Sequence, residues 1–413
     1  MTRFVVLLAC YSLLSPQLSA QEMPTPKDLP PTPQAIAAID QSPAVLEARS
    51  ALAAAGYNAT ALATGSHEWT ARAVAQRRSY RDGATSNEWS VQIERGIRVG
   101  GKAALDRELG ETGAAIAQAR VAEARHEAAR TLADLWLDWL RSDREFELLK
   151  TQVTFAQTNL ATVEKRKRAG DASGLDLSVA QIDLADVLRQ QSLTDTNLSK
   201  ARAKLRLRFP QVPTNTVAMS EPEPPVKTEA FWRERIVSEA DPIKIAEFQL
   251  RSAELQSKRA SADRLPDPTV GVFTASEAFR NERVVGLSIS IPLAGTYRHA
   301  RAQQALLEID VARAARNRQQ QLVELEVAET HADAVGSTQR WRLSEQGANA
   351  ARDSAQLMQR AYSLGEADLQ SLLLVRRQAL DAQRAALDAR HQALRWNYRL
   401  LIDAHLIWDL AND

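Results

Sequence analysis

The sequence has little of several residue types, and each shortage excludes a class of protein. Its 413 residues contain one cysteine and only 5% aromatic residues. Lysine and arginine (52) nearly balance aspartate and glutamate (51), so the net charge is +1. This charge gives no support for nucleic-acid binding, which requires a concentrated basic surface. Glycine and proline, with 16 residues each, are also scarce. The long stretches between them are rich in Ala, Leu, Arg, Gln and Glu, a composition that favours helices.

An apolar run of membrane length is missing beyond the N-terminus, so we expect no transmembrane helix in the mature chain. Near the start, Arg3 precedes an apolar core at residues 4–14, and residues 18–20 end the segment. This layout predicts a secretory signal peptide at residues 1–20. Lipidation at Cys10, which lies in a lipoprotein-like context, is the alternative. After cleavage at residue 20 the chain has no cysteine and forms no disulfide.

The most informative feature is an internal repeat. Gly100 and Gly295 follow strand-like runs, whereas Gly170 and Gly365 follow long helices, and both pairs stand 195 residues apart. Two independent glycine positions with one spacing indicate a duplication. The expected copies span residues 21–209 and 229–413, and a proline-rich linker joins them at residues 210–228.

Each copy predicts a helix, two short strands, a very long helix and a returning helix. In the first copy the first helix spans residues 33–64, the two strands lie within residues 68–99, the long helix spans residues 101–168 and the returning helix spans residues 175–208. In the second copy the first helix spans residues 229–263, the two strands lie within residues 268–293, the long helix spans residues 296–364 and the returning helix spans residues 369–405. The first helices are predicted to begin at Ser42 and Asp241, each followed by proline at the first helical position.

The long helices contain no proline, and at 1.5 Å per residue each is about 100 Å long. Apolar residues recur at steps of three and four, as at Leu132, Leu135, Trp136 and Trp139. This spacing is typical of antiparallel coiled coils, in which each helix buries its apolar stripe against another.

The strands alternate apolar and polar residues, as at residues 89–93 and 287–291. Such alternation suits a strand with lipid on one side and water on the other. Four strands are too few to close a membrane barrel, which has at least about eight, but three chains supply about twelve. The predicted fold is therefore mainly α with a small β part: a trimer with a 12-stranded outer-membrane β-barrel on a long periplasmic α-helical barrel. Trp69 and Trp89 are candidates for an interfacial aromatic belt, with ordinary packing as the alternative.

The turns between the long and returning helices are the most specific motifs. They read RAGDASGLD at residues 168–176 and AYSLGEAD at residues 361–368. With these turns, the duplicated order of elements resembles the TolC-type outer-membrane factors over nearly the whole chain after the signal peptide. The short length and lack of long insertions are similar to the outer-membrane subunits of cobalt-zinc-cadmium cation efflux systems.

The resemblance implies a homotrimeric channel in the cell outer membrane that catalyses nothing and works with a periplasmic adaptor (membrane fusion protein) and an inner-membrane pump. It also implies that the two turns lie at a periplasmic tip beside the constriction. The implied tip and gate residues are Gly170, Asp171, Asp176, Tyr362, Gly365, Glu366 and Asp368. Arg166, Lys167 and Arg168 are candidate adaptor contacts, with a solvated helix end as the alternative.

The sequence departs from the family at one point of the gate. The family often places aspartates six and nine residues after the second-turn glycine, where this chain has Ser371 and Leu374. We therefore do not expect an aspartate ring there, although a partial ring from Asp176 or Asp368 stays an alternative.

Catalytic motifs are missing from the sequence. Its six histidines show no metal-ligand spacing, and it has no P-loop, nucleophile elbow or glycine-rich dinucleotide turn. We expect no catalytic residue, cofactor or metal site. The leading hypothesis is the exit duct of a tripartite efflux system with a pump of the resistance-nodulation-division type and heavy-metal cations as candidate cargo. A type I secretion channel and a periplasmic coiled-coil scaffold without a barrel are the alternatives.

Overall fold

The computed structural model describes residues 25–215, 217–293 and 295–408. The expected signal peptide and Cys10 lie outside these residues. The first half contains α1 (Thr32–Asp40), α2 (Pro43–Thr64), β1 (Thr70–Ser79), β2 (Thr85–Gly96), α3 (Lys102–Arg168) and α4 (Gly174–Arg208). The second half contains α5 (Glu229–Glu239), α6 (Asp241–Ala262), β3 (Thr269–Glu277), β4 (Glu282–Ser290), α7 (Thr296–Leu364) and α8 (Leu369–Asp403). The predicted fold class, mainly helical with a small β part, is confirmed.

Among the residues described, no helix is both long and apolar enough to span a membrane.

The first helix of each half is divided in two, so the continuous spans expected at residues 33–64 and 229–263 are wrong, whereas the helix start expected at Ser42 is confirmed. Proline disfavours the helical conformation of the residue before it. Ser42, which precedes Pro43, is extended (φ −65°, ψ 142°) and separates α1 from α2. In the second half the break falls at Ala240 (φ −59°, ψ 110°). Asp241 is thus the first helical residue of α6 and does not precede the helix as expected.

The long helices α3 and α7 have 67 and 69 residues, and α4 and α8 return along them with 35 residues each. At 1.5 Å per residue the long helices extend about 100 Å. The largest apolar cluster lies part of the way along them, where α1 and the residues that follow α4 and α8 pack against α3. Its fully buried large side chains are Ile39, Leu132, Leu137, Trp139, Leu140, Leu205, Phe209 and Trp408.

Asp28 fixes the N-terminal segment to this cluster. Its side chain is buried and accepts hydrogen bonds from the Tyr398 hydroxyl (2.5 Å) and the Ser220 N–H (2.9 Å). Trp136 donates its indole N–H to the Asp28 carbonyl oxygen (2.5 Å). Burial and then the neighbouring Asp28 carboxylate raise the pKa of Tyr398 well above its usual value. The hydroxyl therefore stays protonated and remains a donor.

The four strands form one antiparallel sheet in the order β1-β2-β3-β4. Its central pair joins the two halves of the chain, with Trp89 opposite Ser276 and Gly96 opposite Thr269. In the part of the chain that the structure describes, β1 and β4 each pair on one side only.

The junction between sheet and helices is held by two cations, the buried Lys102 and the partly buried Arg98. Lys102 is completely buried, and its Nζ donates to the Leu265 carbonyl (2.7 Å) and the Asp267 carboxylate (2.8 Å). Arg98 donates to the last three carbonyls of α2, at residues 62–64 (2.7–3.0 Å), and to Asp106 (2.8 Å). A cation at a helix C-terminus satisfies free carbonyls and complements the helix dipole. The sheet is thereby fixed to α2, α3 and the end of α6.

Candidate channel wall and periplasmic tip

The two faces of the sheet have opposite chemical character. One face, here called the apolar face, carries Ala71, Ala73, Ala75, Trp89, Val91, Ile93, Val270, Val272, Thr274, Val285, Leu287 and Ile289. Its large side chains are exposed: Val285, Leu287 and Ile289 have 76%, 79% and 69% of their surface accessible. Contiguous apolar surface on an exposed sheet marks contact with lipid or protein.

The opposite face, here called the polar face, carries Arg72, Gln76, Arg78, Glu88, Ser90, Gln92, Glu94, Glu277, Glu282 and Ser288. Its most buried charged side chain is Glu88, which is only 3% exposed. Glu88 accepts a hydrogen bond from Gln76 (2.9 Å) and forms a salt bridge with Arg78 (3.0 Å). Polar groups inside and apolar groups outside reverse the usual arrangement in water and match a strand between an aqueous lumen and lipid.

Two tryptophans lie at opposite ends of the exposed sheet. Trp89 is on the apolar face near the hairpin turns, and Trp69 directly precedes β1 at the end where the helices attach. The Arg95 guanidinium lies 5.6 Å from the centre of the Trp69 ring. These positions suit the two interfaces of a membrane, and the aromatic belt stays a prediction.

The β3–β4 turn has an unusual backbone. Ala278, Phe279 and Arg280 all have positive φ (48°, 57° and 69°), which costs about 1–2 kcal/mol per residue outside glycine. Ser86 accepts a hydrogen bond from the Phe279 N–H (2.8 Å), and the Tyr80 ring stacks on Phe279 at 5.4 Å. No local sequence pattern predicts this turn, because its conformation depends on contacts with the neighbouring hairpin.

At the other end of the molecule, α3 and α7 finish in the same glycine motif. Gly170 and Gly365 have φ of +83° and +78°, a left-handed conformation that glycine adopts without strain. Gly170 and Asp171 donate to the carbonyls of Lys167 and Arg166 (3.0 and 2.8 Å). Gly365 and Glu366 donate to those of Tyr362 and Ala361 (3.1 and 2.9 Å). Each turn is a Schellman motif.

Both returning helices begin with a serine and an aspartate three residues apart. The serine is the cap of α4, whereas the aspartate is the cap of α8. Ser173 precedes α4 and accepts from the Asp176 N–H (3.0 Å), while the Asp176 carboxylate accepts from the Ser173 N–H (2.8 Å). Asp368 precedes α8 and accepts from the Ser371 N–H (2.9 Å). These caps were not predicted, although serine and aspartate three residues apart form a recognisable capping signal. Ser371, at a position where the family often has an aspartate, is therefore a helix-cap partner.

The caps hold the carboxylates in their charged form. Hydrogen bonds from the backbone and then the side chain of Ser173 lower the pKa of Asp176 below its usual value. Hydrogen bonds from the side chain and then the backbone of Ser371 lower the pKa of Asp368 in the same way. Because the folded pKa lies below the unfolded value, this stability is present above about pH 4 and is lost as the pH falls further.

Asp176→Ala and Asp368→Ala are each expected to destabilise the start of a returning helix, because each removes a capping partner of exposed backbone N–H groups. Hydrogen exchange of the first turn of α4 or α8 should accelerate in the matching variant between pH 5 and 8. Asp353→Ala, on the exposed surface of α7, is the control. If exchange at the turns is as slow in the variants as in the unaltered chain, the caps do not hold the tip.

The predicted tip residues lie in two environments. Tyr362 is buried, and together with Val163, Ala180, Leu369 and Leu372 it forms a cluster that contains residues of α3, α4, α7 and α8. The Arg166 guanidinium lies 5.3 Å from the Tyr362 ring centre and 3.5 Å from the Asp171 carboxylate. Gly170, Gly365, Glu366 and Asp368 are exposed at the turns, as are Lys167 and Arg168.

Among the described residues, Asp176 and Tyr362 of the implied gate form no hydrogen bond with each other. The Asp176 carboxylate instead accepts hydrogen bonds from the N–H and the hydroxyl of Ser173, as part of the cap at the start of α4. Tyr362 contributes through its buried ring and its contact with Arg166. Within the described residues, no group of three or more His, Cys, Asp or Glu side chains is placed to hold a metal ion.

Comparison with known proteins agrees with this architecture. Residues 233–401 match the family model described as outer membrane efflux protein. No curated protein sequence matches the chain. Among solved structures, a membrane protein from Pseudomonas aeruginosa is similar with a TM-score of 0.79 and 16% identity, over 98% of this chain and 99% of that one.

Two further structures with the same fold are an outer membrane channel and an outer membrane protein. CmeC from Campylobacter jejuni has a TM-score of 0.77 and 12% identity, over 100% of this chain and 96% of that one. VceC, an outer membrane protein of Vibrio cholerae, has a TM-score of 0.73 and 18% identity, over 90% and 95%. The family match supports the predicted location in the outer membrane and a channel rather than an enzyme. The match over residues 233–401 and the fold shared with these outer-membrane proteins agree with the resemblance found in the sequence.

Proposed function

We propose that the protein is the outer-membrane exit duct of a tripartite efflux system and conducts substrates passively. The observation that carries this proposal is the inverted sheet, with exposed apolar side chains on one face and a hydrogen-bonded polar network around the buried Glu88 on the other. The polar face would line an aqueous lumen and the apolar face would contact lipid. Helices of about 100 Å then extend far beyond the bilayer into the periplasm.

The duct is a homotrimer in this proposal. In lipid, the unpaired backbone groups at the free edges of β1 and β4 each cost several kcal/mol. Pairing β4 of one copy with β1 of the next satisfies both edges, and three copies close a barrel of about twelve strands, above the lower limit of about eight. In the scaffold alternative, the apolar face of the sheet is exposed to water. Soluble proteins rarely expose an apolar patch of this kind, which counts against the scaffold.

The two glycine turns lie at the end of the helices farthest from the sheet, where a periplasmic adaptor and an inner-membrane pump would dock. Lys167 and Arg168 are exposed there, without a salt bridge among the described residues. They are available to an adaptor, whereas Arg166 already contacts Tyr362 and Asp171. A pump of the resistance-nodulation-division type supplies the energy in this proposal.

The channel is tested by fractionating the outer membrane and running the protein on a gel with and without heating. We expect an outer-membrane trimer that dissociates on boiling and that forms conducting pores in planar bilayers. A monomer found only in the soluble periplasmic fraction would support the scaffold and overturn the channel.

Heavy-metal cations are the cargo that we propose, on the basis of the sequence resemblance to the cobalt-zinc-cadmium subgroup. Deleting the gene should raise sensitivity to zinc, cobalt or cadmium more than sensitivity to common drugs, and the intact gene should restore resistance. Equal metal sensitivity with and without the gene would rule out this cargo. Loss of a secreted protein from the medium would instead favour type I secretion.

A further inference from the structure

Charges are distributed unequally between the two faces of the sheet. The strands carry four acidic side chains on the polar face, Glu88, Glu94, Glu277 and Glu282. The charged residues in the rows of the apolar face are all arginines: Arg77, Arg95 and Arg283. The face that would contact lipid therefore carries only positive charge, and this charge lies at its ends.

Two of these arginines, Arg77 and Arg283, lie next to the hairpin turns. The helices leave the sheet at the other end, so the turns face the cell exterior in the proposed duct. Both side chains are exposed, and neither has a salt bridge among the described residues. Arg77 donates one hydrogen bond, to the Thr85 hydroxyl (3.3 Å). Arg77 is on β1 and Arg283 on β4, the two edge strands that would meet between copies.

The internal repeat predicts how those edges pair. Thr70 and Thr269 are the first residues of β1 and β3, and they face Glu94 and Ser290 respectively. We match the two hairpins at these first residues, which makes the pairs Thr70–Glu94 and Thr269–Ser290 equivalent, both on the polar face. The partners then stand 199 and 196 residues apart, so the hairpins depart by a few residues from the 195-residue spacing of the glycine pairs. Between the halves, Glu94 faces Gly271.

If β4 of one copy meets β1 of the next with this same register, Ser290 faces Arg72 on the polar side. Counting along the strands, Arg77 then faces Val285 on the apolar side. Arg283 becomes the diagonal neighbour of Arg77, with about 7–8 Å between their backbones. We call this junction between two copies the seam.

Two guanidinium groups so close repel each other unless an anion lies between them. The apolar face provides no carboxylate in the described strands that could serve. Arginine binds phosphate through paired, charge-assisted hydrogen bonds, so one phosphate group can bridge both side chains. At this height the exposed apolar face also offers Val285 and Trp89 to lipid chains.

We propose that each seam binds the phosphorylated headgroup of lipopolysaccharide through Arg77 of one copy and Arg283 of the next. The site is incomplete without the second copy, so it rests on the proposed trimeric duct. Lipopolysaccharide then acts as a bridge between subunits at the outer surface. The predicted stoichiometry is one bound lipid at each seam.

The experiment uses the full-length trimer in phospholipid nanodiscs and measures the temperature at which it dissociates on a gel. Purified lipopolysaccharide should raise this temperature by several degrees in the unaltered protein. The R77Q/R283Q double variant should lose this increase, and native mass spectrometry should show loss of the bound lipid. Without lipopolysaccharide the double variant should dissociate at a higher temperature than the unaltered trimer, because the repulsion is gone.

Arg95→Gln is the matched control, because Arg95 is an exposed arginine at the opposite end of the strands and contacts Trp69. It should keep the full response to lipopolysaccharide. An R77Q/R283Q trimer that responds as strongly as the unaltered trimer would overturn the site and leave the duct intact. Equal stabilisation by inorganic phosphate would overturn the lipid as the ligand. Failure to isolate any trimer would count against the proposed function itself.

Discussion

Replacing Lys102 with methionine is expected to destabilise the protein by about 3 kcal/mol, the lower end for breaking a buried ion pair, because Asp267 loses its lysine partner but keeps the Val99 N–H and is 15% exposed. Lys102 is fully buried and lies 2.8 Å from the Asp267 carboxylate. Its third partner, the Asp263 carboxylate, is 3.3 Å away. The loss should appear as a lower guanidinium midpoint for unfolding and less trimer in the outer membrane.

Lys150→Met is the matched control for this prediction. Lys150 is on the same helix, is exposed, and lies 3.5 Å from Glu147. Such a surface pair contributes about 0–1 kcal/mol, so the unfolding midpoint should barely change. If Lys102→Met and Lys150→Met behave alike, the buried cation does not hold the junction.

A second variant separates charge from packing at this junction. Burial alone would raise the pKa of Asp267, but the hydrogen bond from Lys102 and that from the Val99 N–H lower it below its usual value. In K102M/D267N the buried charge is gone, and the amide oxygen can still accept from Val99. This double variant should recover part of the stability lost in K102M. Identical losses in both would assign the effect to packing.

The sequence predicted the long elements well because their signals are local. A long helix that contains no proline and has apolar residues at steps of three and four can bury its apolar stripe only by packing against other helices. Gly170 and Gly365 marked the helix ends because a left-handed residue there is nearly always glycine. Alternation on β2 and β4 indicated the strands for the same local reason.

The contacts that hold the sheet to the helices could not be predicted from such local patterns. Lys102 is the first residue of α3, where a lysine usually lies in solvent, and its burial follows from contacts with residues about 165 positions later in the chain. The division at Pro43, by contrast, follows from the restriction on the residue before proline, a local rule that agrees with the helix start predicted at Ser42 and not with the continuous span predicted at residues 33–64. The buried ring of Tyr362 also depends on four helices meeting, which no local pattern encodes.

Tyr362→Ala is expected to loosen the tip, because truncating a buried aromatic ring costs about 3–5 kcal/mol. The ring lies in a cluster with residues of both hairpins, including Val163 of α3 and Leu372 of α8. Combined with Asp176→Ala, which removes a cap of α4, the change should let the hairpins separate. Single-channel conductance in planar bilayers should therefore increase several-fold.

Tyr362→Phe distinguishes the ring from the hydroxyl. Phenylalanine keeps the packing and the face that the Arg166 guanidinium contacts at 5.3 Å, and it loses only the oxygen. If packing closes the tip, the Phe variant should conduct like the unaltered channel. High conductance in the Phe variant would instead assign closure to a hydrogen bond of the hydroxyl. Unchanged conductance in Y362A/D176A would remove both residues from the gate and leave closure to the exposed turns at Gly170 and Gly365.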